Sequence, residues 1–171
     1  MLDAAREVVL TTAEGVRLLG YESRHVPPSS RGLAILLHGW EGSSSSTYIR
    51  TTGRFLFREG YDVFRLNFRD HGPSHHLNRG LFYAVLLDEV VDAVRQIAAK
   101  EHGGPVFLAG FSLGGNFALR IARQCTAAPI PGLRHIVAIS PVLDPEKATD
   151  RIDGSRWILR YFLKKWRRSL A

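Results

Sequence analysis

One cysteine, Cys125, stands in a chain of 171 residues, so no disulfide within the chain can brace it. No apolar stretch approaches the roughly 18 uninterrupted residues that a membrane-spanning helix requires. The opening Met1-Leu2-Asp3-Ala4-Ala5-Arg6-Glu7 lacks the basic and apolar regions of a secretory leader, which predicts a cytoplasmic location. Internal repeats are absent, and the one low-complexity piece is Gly42-Ser43-Ser44-Ser45-Ser46-Thr47. Collagen-like, coiled-coil and wholly disordered chains are excluded by 45% hydrophobic and 23% charged residues with 16 Gly and 8 Pro. What remains is a single globular domain over residues 1–171.

The net charge of +7 is unevenly placed. Residues 151–171 hold seven basic side chains against Asp153 alone, which leaves residues 1–150 near neutrality. A charge confined to one terminal segment is not the footprint of a nucleic-acid-binding domain, so no nucleic-acid partner is expected.

Hydrophobic periodicity predicts strands over 7–12 and 16–24 around the turn Ala13-Glu14-Gly15. Pro27-Pro28-Ser29-Ser30 breaks the chain, and Gly32-Leu33-Ala34-Ile35-Leu36-Leu37 then reads as a strand buried on both faces. Helices over 48–59, 81–100 and 114–124 alternate with strands over 61–68, 105–111 and 135–140. This alternation predicts an α/β fold with a mostly parallel sheet flanked by helices. The serine-rich piece lies between a strand and a helix and reads as a loop whose hydroxyls cap the helix.

The sharpest chemical signal is Gly110-Phe111-Ser112-Leu113-Gly114-Gly115, which follows an apolar strand and opens a helix. A tight strand-to-helix turn pushes a serine hydroxyl out at the sheet edge, and flanking glycines remove side chains that would collide. Ser112 is therefore the candidate nucleophile, and the Leu113 N–H at the helix start is a candidate oxyanion donor. The plainer alternative is a glycine-rich helix start capped by a serine; the strand before it favours the nucleophile. His38-Gly39-Trp40 closes the buried strand, where a second donor belongs, so the Trp40 N–H completes the candidate oxyanion hole. His38 reads as a structural hydrogen-bonding residue rather than a base.

With these motifs in place, the chain resembles the α/β-hydrolase family. His38-Gly39-Trp40-Glu41-Gly42-Ser43 is similar to that family's oxyanion loop, and Asn67-Phe68-Arg69-Asp70-His71-Gly72-Pro73-Ser74 to its loop after the fourth strand. Glu41-Gly42-Ser43-Ser44 followed by Tyr48-Ile49, the Asn67-x-Arg69 pattern, and Ser140-Pro141-Val142-Leu143-Asp144 look most like its YheT-like esterase branch. Asp70 departs from the commoner Gly, which bears on the local turn. The resemblance implies hydrolysis of carboxylic esters through an acyl-enzyme, on a small-molecule or lipid ester, without metal or organic cofactor.

A serine hydrolase of this fold carries its acid and then its histidine after the nucleophile. Here the only histidine after Ser112 is His135, within a strand. The expectation is a C-terminally truncated fold with little or no turnover. Asp144 is a substitute acid to weigh against a plain Asp-Pro turn starter, and His71, with His75 and His76, a substitute base on a loop. The same three histidines lack the fixed helical spacing of a metal site.

The basic tail has two readings. Trp157, Ile158, Tyr161, Phe162 and Trp166 recur at helical spacing between Arg156, Arg160, Lys164, Lys165, Arg167 and Arg168, which predicts a basic amphipathic helix over 151–171. It serves either as a cap or lid over the site or as a peripheral membrane contact through 155–171. An uncovered sheet edge predicts self-association. A non-catalytic partner-binding or membrane-surface protein on a hydrolase scaffold is the competing reading of the whole chain.

Overall fold

The computed structural model describes residues 5–26, 30–100 and 104–169; the proline break at 27–29 and the side chains of Trp166, Arg168 and Ser169 lie outside what is described. Six strands form one sheet in the order β1-β2-β4-β3-β5-β6. β1 (Arg6–Thr11) and β2 (Arg17–Ser23) make the expected antiparallel hairpin, closed by Thr12 N–H donating to the Val16 carbonyl at 2.8 Å. β2 runs antiparallel to β4 (Asp62–Leu66), while β3 (Leu33–Leu37), β4, β5 (Val106–Phe111) and β6 (Leu133–Ile139) are mutually parallel.

Alternation along β3 explains the layering. Leu33, Ile35 and Leu37 pack towards α2 (Leu87–Ala99) and α3 (Leu113–Cys125) in a cluster with Val94, Ile97, Phe117 and Ile121. Leu36 faces the other side, with Val63 and Ile49 of α1 (Thr47–Arg58). All five residues of β3 are buried, as a continuously apolar central strand requires. At the far edge β6 pairs only with β5 among the described residues, and Val137 is 50% exposed.

Several boundaries differ from the sequence-based expectation. The helix expected from Leu81 begins at Leu87, because residues 81–86 turn so that Phe82 can stack on Phe68 with ring centroids 5.4 Å apart. Gly72–Leu77 forms an unexpected 3-10 helix. The tail is not one helix: Arg151, Ile152 and Asp153 end α4 (Pro145–Asp153), and Gly154 caps it through an N–H bond to the Asp150 carbonyl at 2.9 Å. α5 (Arg156–Ser169) starts anew after Ser155. Ser46 precedes α1 without capping it by its side chain, since its Oγ accepts the Ser43 N–H at 2.9 Å inside the loop. No helix among the described residues is long and apolar enough to cross a membrane.

Candidate active site

Ser112 occupies the one-residue turn between β5 and α3 with φ 52° and ψ −113°, outside the regions open to residues with a side chain. Three backbone bonds hold it there. Its N–H donates to the Ile139 carbonyl at 2.9 Å, and its carbonyl accepts Asn116 N–H at 3.0 Å and Val142 N–H at 3.3 Å. The flanking glycines are dictated by space: a Cβ on Gly110 would lie 2.0 Å from the Gly114 carbonyl oxygen, and one on Gly114 would lie 2.5 Å from the Leu37 and His38 oxygens. Gly39 brings the loop after β3 against the turn, since a Cβ there would be 3.1 Å from Ser112 Cβ. Leu113, first residue of α3, has an N–H without a carbonyl partner inside the helix.

The loops around this turn are braced by polar groups that the sequence named for other reasons. His38 is fully buried; its Nδ1–H donates to the Gly39 carbonyl at 2.8 Å and its Nε2 accepts Phe68 N–H at 3.2 Å. Those partners fix the neutral tautomer, and burial pushes the imidazole down to about 3. Asn67 Oδ1 accepts Ser44 N–H at 2.7 Å and Arg65 Nη1 donates to the Ser44 carbonyl at 2.8 Å, tying the serine-rich loop to β4. Arg69 pairs with Glu89 of α2, whose carboxyl burial holds above the usual range against the pull of that guanidinium.

Ser112 opens on a cavity of about 660 Å³. It is lined by Gly39, Trp40 and Tyr48, by Phe82, Tyr83 and Ala84, by Ile139 at the end of β6 with Ser140 and Val142 after it, and by α4 with Tyr161 and Phe162 of α5 as its roof. Among the described residues this wall carries no histidine or carboxylate.

Neither Asp144 nor His71 is among the residues that line the cavity on which Ser112 opens. Asp144 is the N-cap of α4: it accepts Lys147 N–H at 3.0 Å and pairs with the Lys147 ammonium at 2.9 Å, contacts that lower its pKa. His71 is buried with Nδ1–H donating to the Arg69 carbonyl at 2.8 Å, and burial lowers its pKa. It lines a neighbouring cleft of about 240 Å³ with Asp70, His75 and Lys165. His75 is paired with Asp70 at 2.6 Å, and His71, His75 and His76 form no metal-ligating group among the described residues. His135 lies in β6, stacked on Phe107 at 5.7 Å.

Tyr48 is a site residue that sequence reasoning passed over. Its Oη accepts the Gly39 N–H at 2.9 Å, and its ring packs 5.0 Å from Phe111. A tyrosine in the first turn of the helix after the glycine loop was the available signal.

A fold of this order, with a serine held at the strand-to-helix turn, agrees with what comparison with known proteins finds. The chain belongs to the Hydrolase_4 family (serine aminopeptidase, S33), whose model matches residues 28–170, and so to the α/β-hydrolase superfamily. It is 31% identical over 114 residues to the Synechocystis sp. protein named "Putative esterase slr0264", a match covering 65% of this chain and 31% of that protein. The Pyrococcus furiosus esterase Pf2001 is similar in structure at 25% identity with a TM-score of 0.67, over 84% of this chain and 53% of that one. XC6422 from Xanthomonas campestris, described as an α/β serine hydrolase without lid, shares the fold at 21% identity with a TM-score of 0.61, over 89% of this chain and 79% of that one. The chain spans between about a third and a half of the length of the curated relatives it matches.

Proposed function

We propose that this chain carries the nucleophile-bearing part of a carboxylic ester hydrolase that works through an acyl-enzyme on Ser112. The observation that carries this reading is the backbone of Ser112, held at φ 52° beside Gly39 at the mouth of an apolar cavity. Strain of this kind persists only where surrounding bonds over-determine it, and it concentrates at functional sites. In the reaction, Ser112 Oγ forms a bond to the ester carbonyl carbon as the carbonyl electron pair moves onto oxygen. The Leu113 and Trp40 N–H groups hold that oxygen until its electron pair re-forms the carbonyl, the bond to the alcohol oxygen breaks and the alcohol leaves with the proton that Ser112 lost. Water then attacks the acyl-enzyme and releases the acid.

The proton of Ser112 needs an acceptor, and the described cavity wall has none. Low turnover is therefore the expectation for this chain by itself. The apolar cavity favours a small-molecule or lipid ester with a hydrophobic group, and the esterase names of its relatives point the same way. The closer likeness to the YheT-like branch is part of this proposal.

Labelling with a fluorophosphonate probe, read by intact mass and peptide mapping beside Ser112→Ala, tests the reading. Modification confined to Ser112 supports it. Failure of a folded sample to react shows that no working base is supplied to Ser112 by this chain, and leaves the nucleophile-bearing part of a hydrolase and the non-catalytic scaffold to be separated by their partners.

A further inference from the structure

Helix α5 presents two faces of different chemistry. Leu159, Phe162 and Lys165 turn inward: the Phe162 ring lies 5.3 Å from that of Trp40, and Lys165 Nζ donates to the Glu41 carbonyl at 2.9 Å. On the opposite face Arg156, Arg160, Lys164 and Arg167 recur at intervals of four, four and three, all exposed. They make no ion pair with a carboxylate among the described residues, and α5 contains no acidic residue. Beside this stripe Trp157 is 84% exposed.

We propose that the outer face of α5 docks on an anionic lipid bilayer, setting the roof of the Ser112 cavity against the membrane surface. Charge complementarity selects the occupant. Four cations spread over about three turns meet a surface of negative headgroups, each gaining roughly fivefold in affinity close to that surface. The exposed indole of Trp157 beside such a stripe suits the headgroup level, where an aromatic ring buries its apolar body and keeps its polar edge wet. Residues 1–150 are nearly neutral, so the attraction is local to α5 and orients the molecule. An extended nucleic-acid footprint would need basic residues beyond one helix face. The cavity directly beneath α5 is apolar, which suits delivery of a hydrophobic molecule from the same surface.

Co-sedimentation of the full chain with phosphatidylcholine vesicles, with and without phosphatidylserine, tests this directly. The expected result is binding to the anionic vesicles only, weakening as salt rises from 50 to 300 mM on the order of counter-ion screening. Replacing all four cations together (Arg156→Gln, Arg160→Gln, Lys164→Gln, Arg167→Gln) is expected to weaken binding by more than ~100-fold at an unchanged melting temperature. Trp157→Ala is expected to weaken it severalfold and to remove the blue shift of tryptophan emission on binding. Absence of binding, equal binding to neutral vesicles, equal binding by the four-fold variant, or tighter binding to duplex DNA than to anionic vesicles each overturns the proposal. The assay reads no turnover, so its outcome is separate from the labelling of Ser112.

Discussion

Replacing Ser112 by glycine should stabilise the protein while removing its candidate nucleophile. At φ 52° and ψ −113° a residue with a Cβ is strained by roughly 1–3 kcal/mol. Glycine reaches this conformation freely but brings about 0.4–1 kcal/mol of extra chain entropy to the unfolded state. The Ser112 hydroxyl makes no hydrogen bond among the described residues, so its loss contributes little. The net expectation for Ser112→Gly is a gain of about 1 kcal/mol. Ser112→Ala keeps the Cβ and its strain, and should lie within about 0.5 kcal/mol of the parent. Urea unfolding followed by far-ultraviolet circular dichroism resolves the difference as a midpoint shift of about 0.3–1 M. In a thermal melt it amounts to about 2–4 °C for a chain of this size. If the glycine variant proves no more stable than the alanine variant, the turn is not strained and the argument from strain to function fails.

Three further outcomes follow from the same geometry. Gly114→Ala places a carbon 2.5 Å from two backbone oxygens that cannot swing away, so a loss of about 3 kcal/mol is expected in the same urea assay. His38 titrates near 3 when folded and near 6.5 when unfolded; its stabilisation is complete above pH 6.5 and is lost at up to about 1.4 kcal/mol per pH unit as pH falls towards 3. His38→Gln should be less stable at pH 7 yet lose stability less steeply between pH 6 and 4, and parallel slopes would count against a neutral buried imidazole. Tyr48→Phe removes the acceptor of the Gly39 N–H, which should cost about 1 kcal/mol and speed hydrogen exchange at that amide.

The parallel core of the fold was legible because its strands are buried on both faces and so read as unbroken apolar runs, as Leu33–Leu37 does. The nucleophile turn was legible because its glycines answer to backbone collisions local in sequence. Contacts between distant segments were not. The break between α4 and α5 turns on Gly154, one weak cap inside a periodic pattern that runs through it. The start of α2 is set by Phe82 reaching Phe68 and Phe117, a demand placed by other strands and helices on a segment with ordinary helix propensity. Asp144 and His71 have the chemistry of an acid and a base and follow strands at the sheet edge that bears Ser112. Their side chains are engaged by a local helix cap and by a loop carbonyl, partners that the residue types alone do not announce.

The lid and the proposed surface contact would use opposite faces of one helix, α5. The inward face is fastened to the loop that supplies a candidate oxyanion donor: Phe162 packs on Trp40, and Lys165 bonds the carbonyl of the next residue, Glu41, itself held at φ 53°. Gly39, one residue earlier, is fixed by Tyr48. A displacement of α5 therefore strains the backbone on either side of Trp40 before it reaches Ser112, whose own bonds run to β6 and to Val142. Force applied to the outer face of α5 would bear first on the donor geometry and on access beneath the roof. The nucleophile itself, braced by the sheet, would stay where it is.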